Sequence, residues 1–120
     1  MAPVRYRFGK SHRLLKPSEY RFVFQRARKR AARGFTIYIC PNTLGHPRLG
    51  IAISRKCLPG AVMRNRAKRI IRESFRQRSH TLGGVDIVFL GRQGLAGQSR
   101  EELRAVVNAQ LAEIEQCAGC

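Results

Sequence analysis

The residues of this chain best suited to chemistry are the arginines and lysines on one predicted helix. The stretch 63–78 reads MRNRAKRIIRESFRQR, with seven cationic side chains and Glu73 as its only acid. At 3.6 residues per turn, small and apolar residues fall on one face that can enter a core, namely Met63, Ala67, Ile70, Ile71, Ser74 and Phe75. Polar residues point elsewhere, and they are Arg64, Asn65, Lys68, Arg69, Arg72 and Arg76. Because a solvated helix face usually mixes charges of both signs, this helix is predicted to contact the phosphates of a nucleic acid.

The acidic, histidine and cysteine residues form no catalytic pattern. Asp86 is the only aspartate and the glutamates are dispersed or confined to the last helix, which argues against a two-metal nuclease built by protein alone. His12, His46 and His80 are expected in the arm or in loops, with nothing that pairs two of them as acid and base. A C-x-x-C lies at 117–120 without further ligands, so the tail is not expected to bind metal. The sequence therefore predicts no catalytic residue and no metal site.

Three aromatic residues could add stacking to this charge. Tyr20 and Phe24 are four apart and adjacent on a first helix, and this spacing alone leaves open whether they belong to the core or to a binding surface. Tyr38 alternates away from the apolar face of a predicted strand. The next strand has Gly50, Ala52 and Ser54 on one face, which can be concave. Rings that stack on bases together with backbone charge favour single-stranded RNA over duplex DNA.

Composition bounds the class of protein. The 120 residues suit one domain, and 24 Lys and Arg against seven Asp and Glu give a net charge of +17. No apolar run is long enough for a membrane span or a secretory signal, so we expect a cytoplasmic protein with reduced thiols. Charge is uneven, because residues 1–33 and 55–78 are strongly basic whereas the last helix has four glutamates. Residues 1–16 are expected to form a basic arm and residues 116–120 a mobile tail.

Periodicity and turn residues predict the order of the elements. A first helix follows Pro17 and runs to about Arg28, and the segment Arg26–Arg33 either extends it or links it to Gly34. The remaining predicted elements are a strand Phe35–Cys40, a hairpin loop Pro41–Pro47, a strand Leu49–Ser54, the basic helix, a strand Val85–Leu90, a loop Gly91–Gly97 without a phosphate role, and a last helix with a capping box at Ser99–Glu102. Strand–helix–strand passages favour a layered α/β sandwich.

A longer string carries a family resemblance. The residues 48–76, RLGIAISRKCLPGAVMRNRAKRIIRESFR, closely resemble the signature of the protein subunit of bacterial ribonuclease P. The resemblance extends over about residues 12–115 and includes RLLKPSEYRFVF at 13–24 and the segment 85–92. It implies an α+β sandwich with about four strands, three helices and a left-handed βαβ crossover.

The resemblance also implies a function and its residues. In that family a catalytic RNA subunit hydrolyses precursor tRNA with Mg²⁺, and the small protein binds this RNA and the 5′ leader. No cofactor is expected on the protein alone, and neither a membrane nor an obligate protein partner. The implied RNA-contacting residues are Arg55, Lys56, Arg64, Asn65, Arg66, Lys68, Arg69 and Arg72, to which the helical pattern adds Arg76. The implied leader-binding residues are Tyr20, Phe24 and Tyr38. For Tyr20 and Phe24, the resemblance therefore favours a place in a binding cleft over a place in the core.

Two alternatives stay open on the sequence. A ribosomal or assembly protein could use the same charged helix without a catalytic partner. A nuclease active without RNA would need a catalytic constellation that the sequence does not present.

Overall fold

The computed structural model describes residues 12–116, so most of the predicted basic arm and residues 117–120 of the tail lie outside the described part. The elements are α1 (Pro17–Arg26), β1 (Arg28–Ala32), β2 (Phe35–Pro41), β3 (Arg48–Ala52), α2 (Ala61–Leu82), β4 (Val85–Gly91) and α3 (Arg100–Gln116). The three helices and four-stranded mixed sheet of residues 12–116 confirm the α+β class. Within residues 12–116, no helix is both long enough and apolar enough to cross a membrane.

The sheet has the strand order β1-β2-β4-β3, which corrects the predicted hairpin between β2 and β3. Strand β4 lies between them, antiparallel to β2 and parallel to β3. Its residues Val85–Phe89 are buried on both faces and, apart from Asp86, are apolar, and such a strand belongs in the centre of a sheet. The segment 42–47 is therefore a connection across β4 and not a hairpin turn. Helix α2 connects the parallel strands β3 and β4, and the left hand of this crossover stays a prediction.

The segment Arg26–Arg33 contains the fourth strand, which the sequence pattern did not predict. Helix α1 ends at Arg26, and Arg28–Ala32 pairs with β2 in antiparallel register. The connection Arg33-Gly34 is a two-residue hairpin turn, and Gly34 has φ +81°. Arginine, lysine and alanine favour helices in isolation, whereas charged side chains also suit an exposed edge strand. Pairing with β2 decided the outcome.

The helices pack on both faces of the sheet. The main core joins one face of β2, β3 and β4 to α2 and α3, with Ile37, Phe75, Phe89 and Leu111 fully buried. A second, smaller core lies on the opposite face, where α1 contributes Val23 and the sheet contributes Cys40 and Val88. The α2–α3 layer and the α1 layer are thus separated by the sheet.

A partly buried ion-pair network joins α1 to the sheet. Asp86 on β4 is 2% exposed and accepts hydrogen bonds from Arg48 Nε at 2.9 Å and Nη2 at 2.8 Å. Arg48 Nη1 also donates to Glu19 Oε2 at 2.6 Å, and Asn42 Nδ2 donates to Asp86 at 2.8 Å. The Glu19 pKa is lowered by hydrogen bonds from the backbone N–H groups of residues 16 and 15, and then by Arg48. The only aspartate of the chain therefore has a structural partner.

Candidate nucleic-acid interface

Helix α2 has the buried face that its sequence pattern predicted. Ala67, Ile70, Ile71, Ser74 and Phe75 are buried against the sheet and α3. Met63, at the helix start, is half-buried and packs against the same core. The helix extends beyond the predicted stretch, from Ala61 to Leu82. Because the apolar stripe is anchored, the rest of the surface of α2 is held in a fixed orientation toward solvent.

The cationic residues of α2 differ in how free they are. Of these, Arg69, Arg72 and Arg76 are exposed, as is the neutral Asn65 beside them, and Arg69 has 80% of its side chain accessible. Arg69 Nε lies 3.7 Å from Glu73, a surface pair that neutralises little of the charge. Most of this face therefore presents uncompensated positive charge.

Three further predicted residues on α2 are half-buried: Arg64, Arg66 and Lys68. Arg64 Nη1 donates to the carbonyl oxygens of Leu58 and Pro59, both at 2.8 Å. That bonding ties the first turn of α2 to the preceding loop, so Arg64 has a structural role beside any contact with phosphate. Arg55 and Lys56 lie exposed in the turn after β3.

An open groove runs between α2 and α3, with a volume of about 910 Å³. Arginines line both of its walls, and they are Arg66, Arg69, Arg72 and Arg76 on α2 with Arg100 and Arg104 on α3. The sequence prediction missed the two α3 residues because it grouped them with an acidic helix. Their spacing of four, which places both on one helix face, was the signal available.

The three predicted aromatic residues form one cluster. The rings of Phe24 and Tyr38 are 4.7 Å apart between centroids and nearly perpendicular, and those of Tyr20 and Phe24 are 6.4 Å apart. Tyr20 lies directly on Gly50, where a Cβ atom would be 2.6 Å from the ring. All three rings are half-buried and pack on the smaller core. The cluster therefore covers apolar residues beneath it and also exposes ring surface.

Lys29 adds a cation beside this cluster. Its Nζ lies 5.8 Å from the centre of the Tyr38 ring, and its neighbour Arg28 is exposed on the edge strand β1. A phosphate next to a stacked base would find a positive charge there. Neither residue was among the predicted leader-binding residues, because strand β1 was not predicted.

The histidines depart from the sequence prediction. The rings of His12 and His46 are 4.8 Å apart between centroids, so two histidines do come together. His80 belongs to the last turn of α2 and not to a loop. Burial lowers the pKa of His12, and the neighbouring His46 lowers it further. The two rings pack against each other and do not face each other across a gap, as an acid and a base on opposite sides of a phosphate would.

A metal-binding cluster is likewise not found in the described residues. No group of three or more His, Cys, Asp or Glu side chains within 12–116 could hold a metal ion. Cys40 is a buried thiol and Cys57 a half-buried one, and neither is in a disulfide. The C-x-x-C at 117–120 lies outside the described residues.

The fold and these surfaces define a small, basic α+β protein suited to contact polyanions. The sequence profile described as Ribonuclease P matches residues 8–115. The chain belongs to the ribonuclease P family, the protein components of a ribonucleoprotein endoribonuclease of tRNA processing. Membership of this family implies an RNA partner in the ribonucleoprotein. It also favours a role in ribonuclease P over the ribosomal alternative.

Individual relatives agree over nearly the whole chain. The ribonuclease P protein component of Methylococcus capsulatus is 44% identical over 115 residues, covering 95% of this chain and 90% of the relative. That of Marinobacter nauticus is 47% identical over 102 residues, covering 84% of this chain and 76% of the relative. The structure of the Staphylococcus aureus RNase P protein superposes with a TM-score of 0.78 at 29% identity, covering 92% of this chain and 97% of the other. The Thermotoga maritima RNase P protein gives 0.72 at 26% identity, covering 84% and 96%.

Proposed function

We propose that this protein binds the catalytic RNA of ribonuclease P through α2 and the 5′ leader of precursor tRNA through the aromatic cluster. The observation that carries the proposal is the cationic surface of α2, fixed by a buried apolar face and only weakly neutralised by Glu73. Phosphate contacts by arginine and lysine supply most of the affinity of such interfaces and make it dependent on salt. The RNA-binding residues proposed are Arg55, Lys56, Arg64, Asn65, Arg66, Lys68, Arg69, Arg72 and Arg76.

The leader-binding part rests on the ring cluster. Tyr20, Phe24 and Tyr38 are contiguous, half-buried and flanked by Lys29. Aromatic rings stack on any base, and stacking contributes roughly 1–3 kcal/mol per base. Leaders differ in sequence among precursors, so a surface that tolerates any base suits this substrate. Precursor tRNA is a cytoplasmic molecule in bacteria, which supports a cytoplasmic location.

The hydrolysis itself is proposed to belong to the RNA with Mg²⁺. Asp86, the only aspartate, is committed to Arg48 and Asn42, and the rings of the histidine pair pack against each other. Mg²⁺ prefers oxygen ligands, and RNA phosphates provide them. The protein contributes by neutralising phosphates and holding the substrate. No obligate protein partner enters this proposal.

Reconstitution tests the proposal. Protein freed of nucleic acid is incubated with labelled precursor tRNA, alone and with a bacterial ribonuclease P RNA at low magnesium. We expect 5′-end cleavage only when both are present. Spermidine at matched positive charge is the control for simple neutralisation, and it should not replace the protein. Cleavage by the protein alone, or no stimulation of the RNA, would contradict the proposal.

A further inference from the structure

Helix α3 separates its charges onto different sides. The helix is acidic overall, but three of its four glutamates pair with arginines elsewhere in the fold: Glu102 with Arg33 at 2.7 Å, Glu113 with Arg30 at 3.0 Å and Glu115 with Arg78 at 3.2 Å. Arg100 and Arg104 are four residues apart, are exposed, and line the groove toward α2. The side of α3 that lines the groove is therefore cationic, although the helix as a whole is acidic.

The two helices lie side by side with their starts at the same end. Near the starts, Leu103 of α3 and Ser99, which directly precedes that helix, share a small cleft with Met63 and Ala67 of α2. Near the ends, Thr81 Oγ1 of α2 donates to Glu115 of α3 at 2.7 Å. The arginines of one helix consequently face those of the other across the groove.

Neither Arg100 nor Arg104 stabilises the fold electrostatically. Within residues 12–116, neither makes an ion pair or a side-chain hydrogen bond. Arg100 also lies in the first turn of α3, where the helix dipole disfavours a cation. Among the described residues, six arginines line the groove with Glu73 as the only acid, so they repel one another in the free protein. A polyanion in the groove would remove this repulsion.

We propose that the α2–α3 groove holds a single sugar–phosphate strand of the catalytic RNA, with Arg100 and Arg104 as its second wall. Arginines recur about once per turn along both walls, about 5.4 Å apart, a spacing comparable with that of successive phosphates. Guanidinium groups bind phosphate oxygens in a bidentate manner. The groove is on the sheet face opposite the aromatic cluster, so the RNA strand and the leader do not compete for it. This inference rests on the proposed function and adds two residues and a second helix to its RNA-binding surface.

The test compares two double variants that lose the same charge. Arg100→Gln/Arg104→Gln removes the α3 wall, whereas Arg21→Gln/Arg92→Gln removes two exposed arginines outside the groove. Affinity for the catalytic RNA is measured without precursor tRNA at several salt concentrations. Each phosphate contact contributes about one to the steepness of the slope of log K against log salt. This steepness should therefore fall by about two in the groove variant and by much less in the control. At a fixed moderate salt, the groove variant should bind at least 10-fold more weakly.

A charge-reversed variant guards against unfolding. Arg100→Glu/Arg104→Glu places acids at the start of α3, where the helix dipole favours them, so the helix should stay folded. It should bind the RNA more weakly still, with the melting temperature unchanged or higher. If the parent protein stimulates the RNA but the groove variant and its control have equal slopes, RNA binding in the α2–α3 groove is refuted. A parent protein without stimulation would refute the proposed function itself.

Discussion

At the scale of single residues, some arginines stabilise the fold through ion pairs and others are exposed to solvent. Arg48 is held in a buried network by Asp86 and Glu19, and hydrogen bonding to Asp86 raises its pKa. Arg69 has 80% of its side chain in solvent and a 3.7 Å contact with Glu73. Removing Arg48 would leave a buried carboxylate unpaired, which is far costlier than losing a surface pair. Arginines that are not held by an acidic partner in this way are the ones available to a polyanion.

Substitution of Tyr38 should weaken binding of the 5′ leader without weakening binding of the tRNA body. We expect Tyr38→Ala to weaken binding of leader-bearing precursor tRNA to the reconstituted enzyme by about 5-fold or more, because one stacked base contributes roughly 1–3 kcal/mol. Mature tRNA should bind with unchanged affinity. Equilibrium binding with substrates of graded leader length measures this difference.

The matched control is Tyr38→Phe. It keeps the ring and its edge-on contact with Phe24, so precursor binding should stay close to that of the parent. Because Tyr38 packs on the smaller core, melting curves must show that the alanine variant is folded. An equal loss for precursor and mature tRNA would rule out a leader-specific role.

At the scale of elements, the β1–β2 hairpin depends on the residue at its turn, Gly34. Gly34 has φ +81°, and a Cβ atom there would lie 2.6 Å from Gln98 Nε2 and 3.0 Å from the Leu95 backbone. Gln98 Nε2 donates to the carbonyl oxygen of Arg33 at 2.9 Å, so the turn and the loop before α3 are packed together. The hairpin is therefore fixed by tertiary contact as well as by glycine.

Gly34→Ala should accordingly cost more stability than a matched glycine substitution. Gly45 has φ +80°, but a Cβ atom there meets nothing within 4 Å. Gly45→Ala should lower the free energy of unfolding by about 1–2 kcal/mol, the cost of the left-handed conformation. Gly34→Ala should add roughly 1–3 kcal/mol for the close contact. Urea denaturation of both variants measures the difference, and equal losses would show that the contact does not matter.

At the scale of the whole molecule, the dominant feature is a net charge of +17 on 120 residues. Such a charge destabilises a compact state through self-repulsion, and the repulsion weakens when salt shortens the Debye length. The ion pairs at the surface contribute little in the opposite direction. The free protein is thus expected to be at its least stable in low salt.

We therefore expect the melting temperature to rise by several degrees between about 20 mM and 300 mM KCl. Arg100→Gln/Arg104→Gln should melt higher than the parent at low salt and gain less from added salt, since the groove repulsion is reduced. Differential scanning calorimetry measures both effects. A melting temperature that falls with salt would show that attractive ion pairs outweigh the self-repulsion.

What local periodicity encodes could be predicted from the sequence. The buried face of α2, from Ala67 to Phe75, followed from its helical spacing. The start of α3 followed from its capping residues, since Glu102 N donates to Ser99 Oγ at 3.1 Å and Ser99 N to Glu102 Oε1 at 3.0 Å. The spacing of Tyr20 and Phe24 made them neighbours, and alternation turned Tyr38 away from the main core. These features depend on residues a few positions apart, so short-range geometry sufficed.

Pairing between distant segments was decided by the tertiary structure alone. Strand β1 forms because Arg28–Ala32 pairs with the edge of β2, and β4 separates β2 from β3 because it is buried and largely apolar on both faces. The approach of His12 to His46 arises in the same way, from segments far apart in the chain. So does the alignment of Arg100 and Arg104 with the cations of α2, a charge pattern that no local window of the sequence contains. Burial and strand pairing act over the whole chain, and they arrange the charges that single segments only supply.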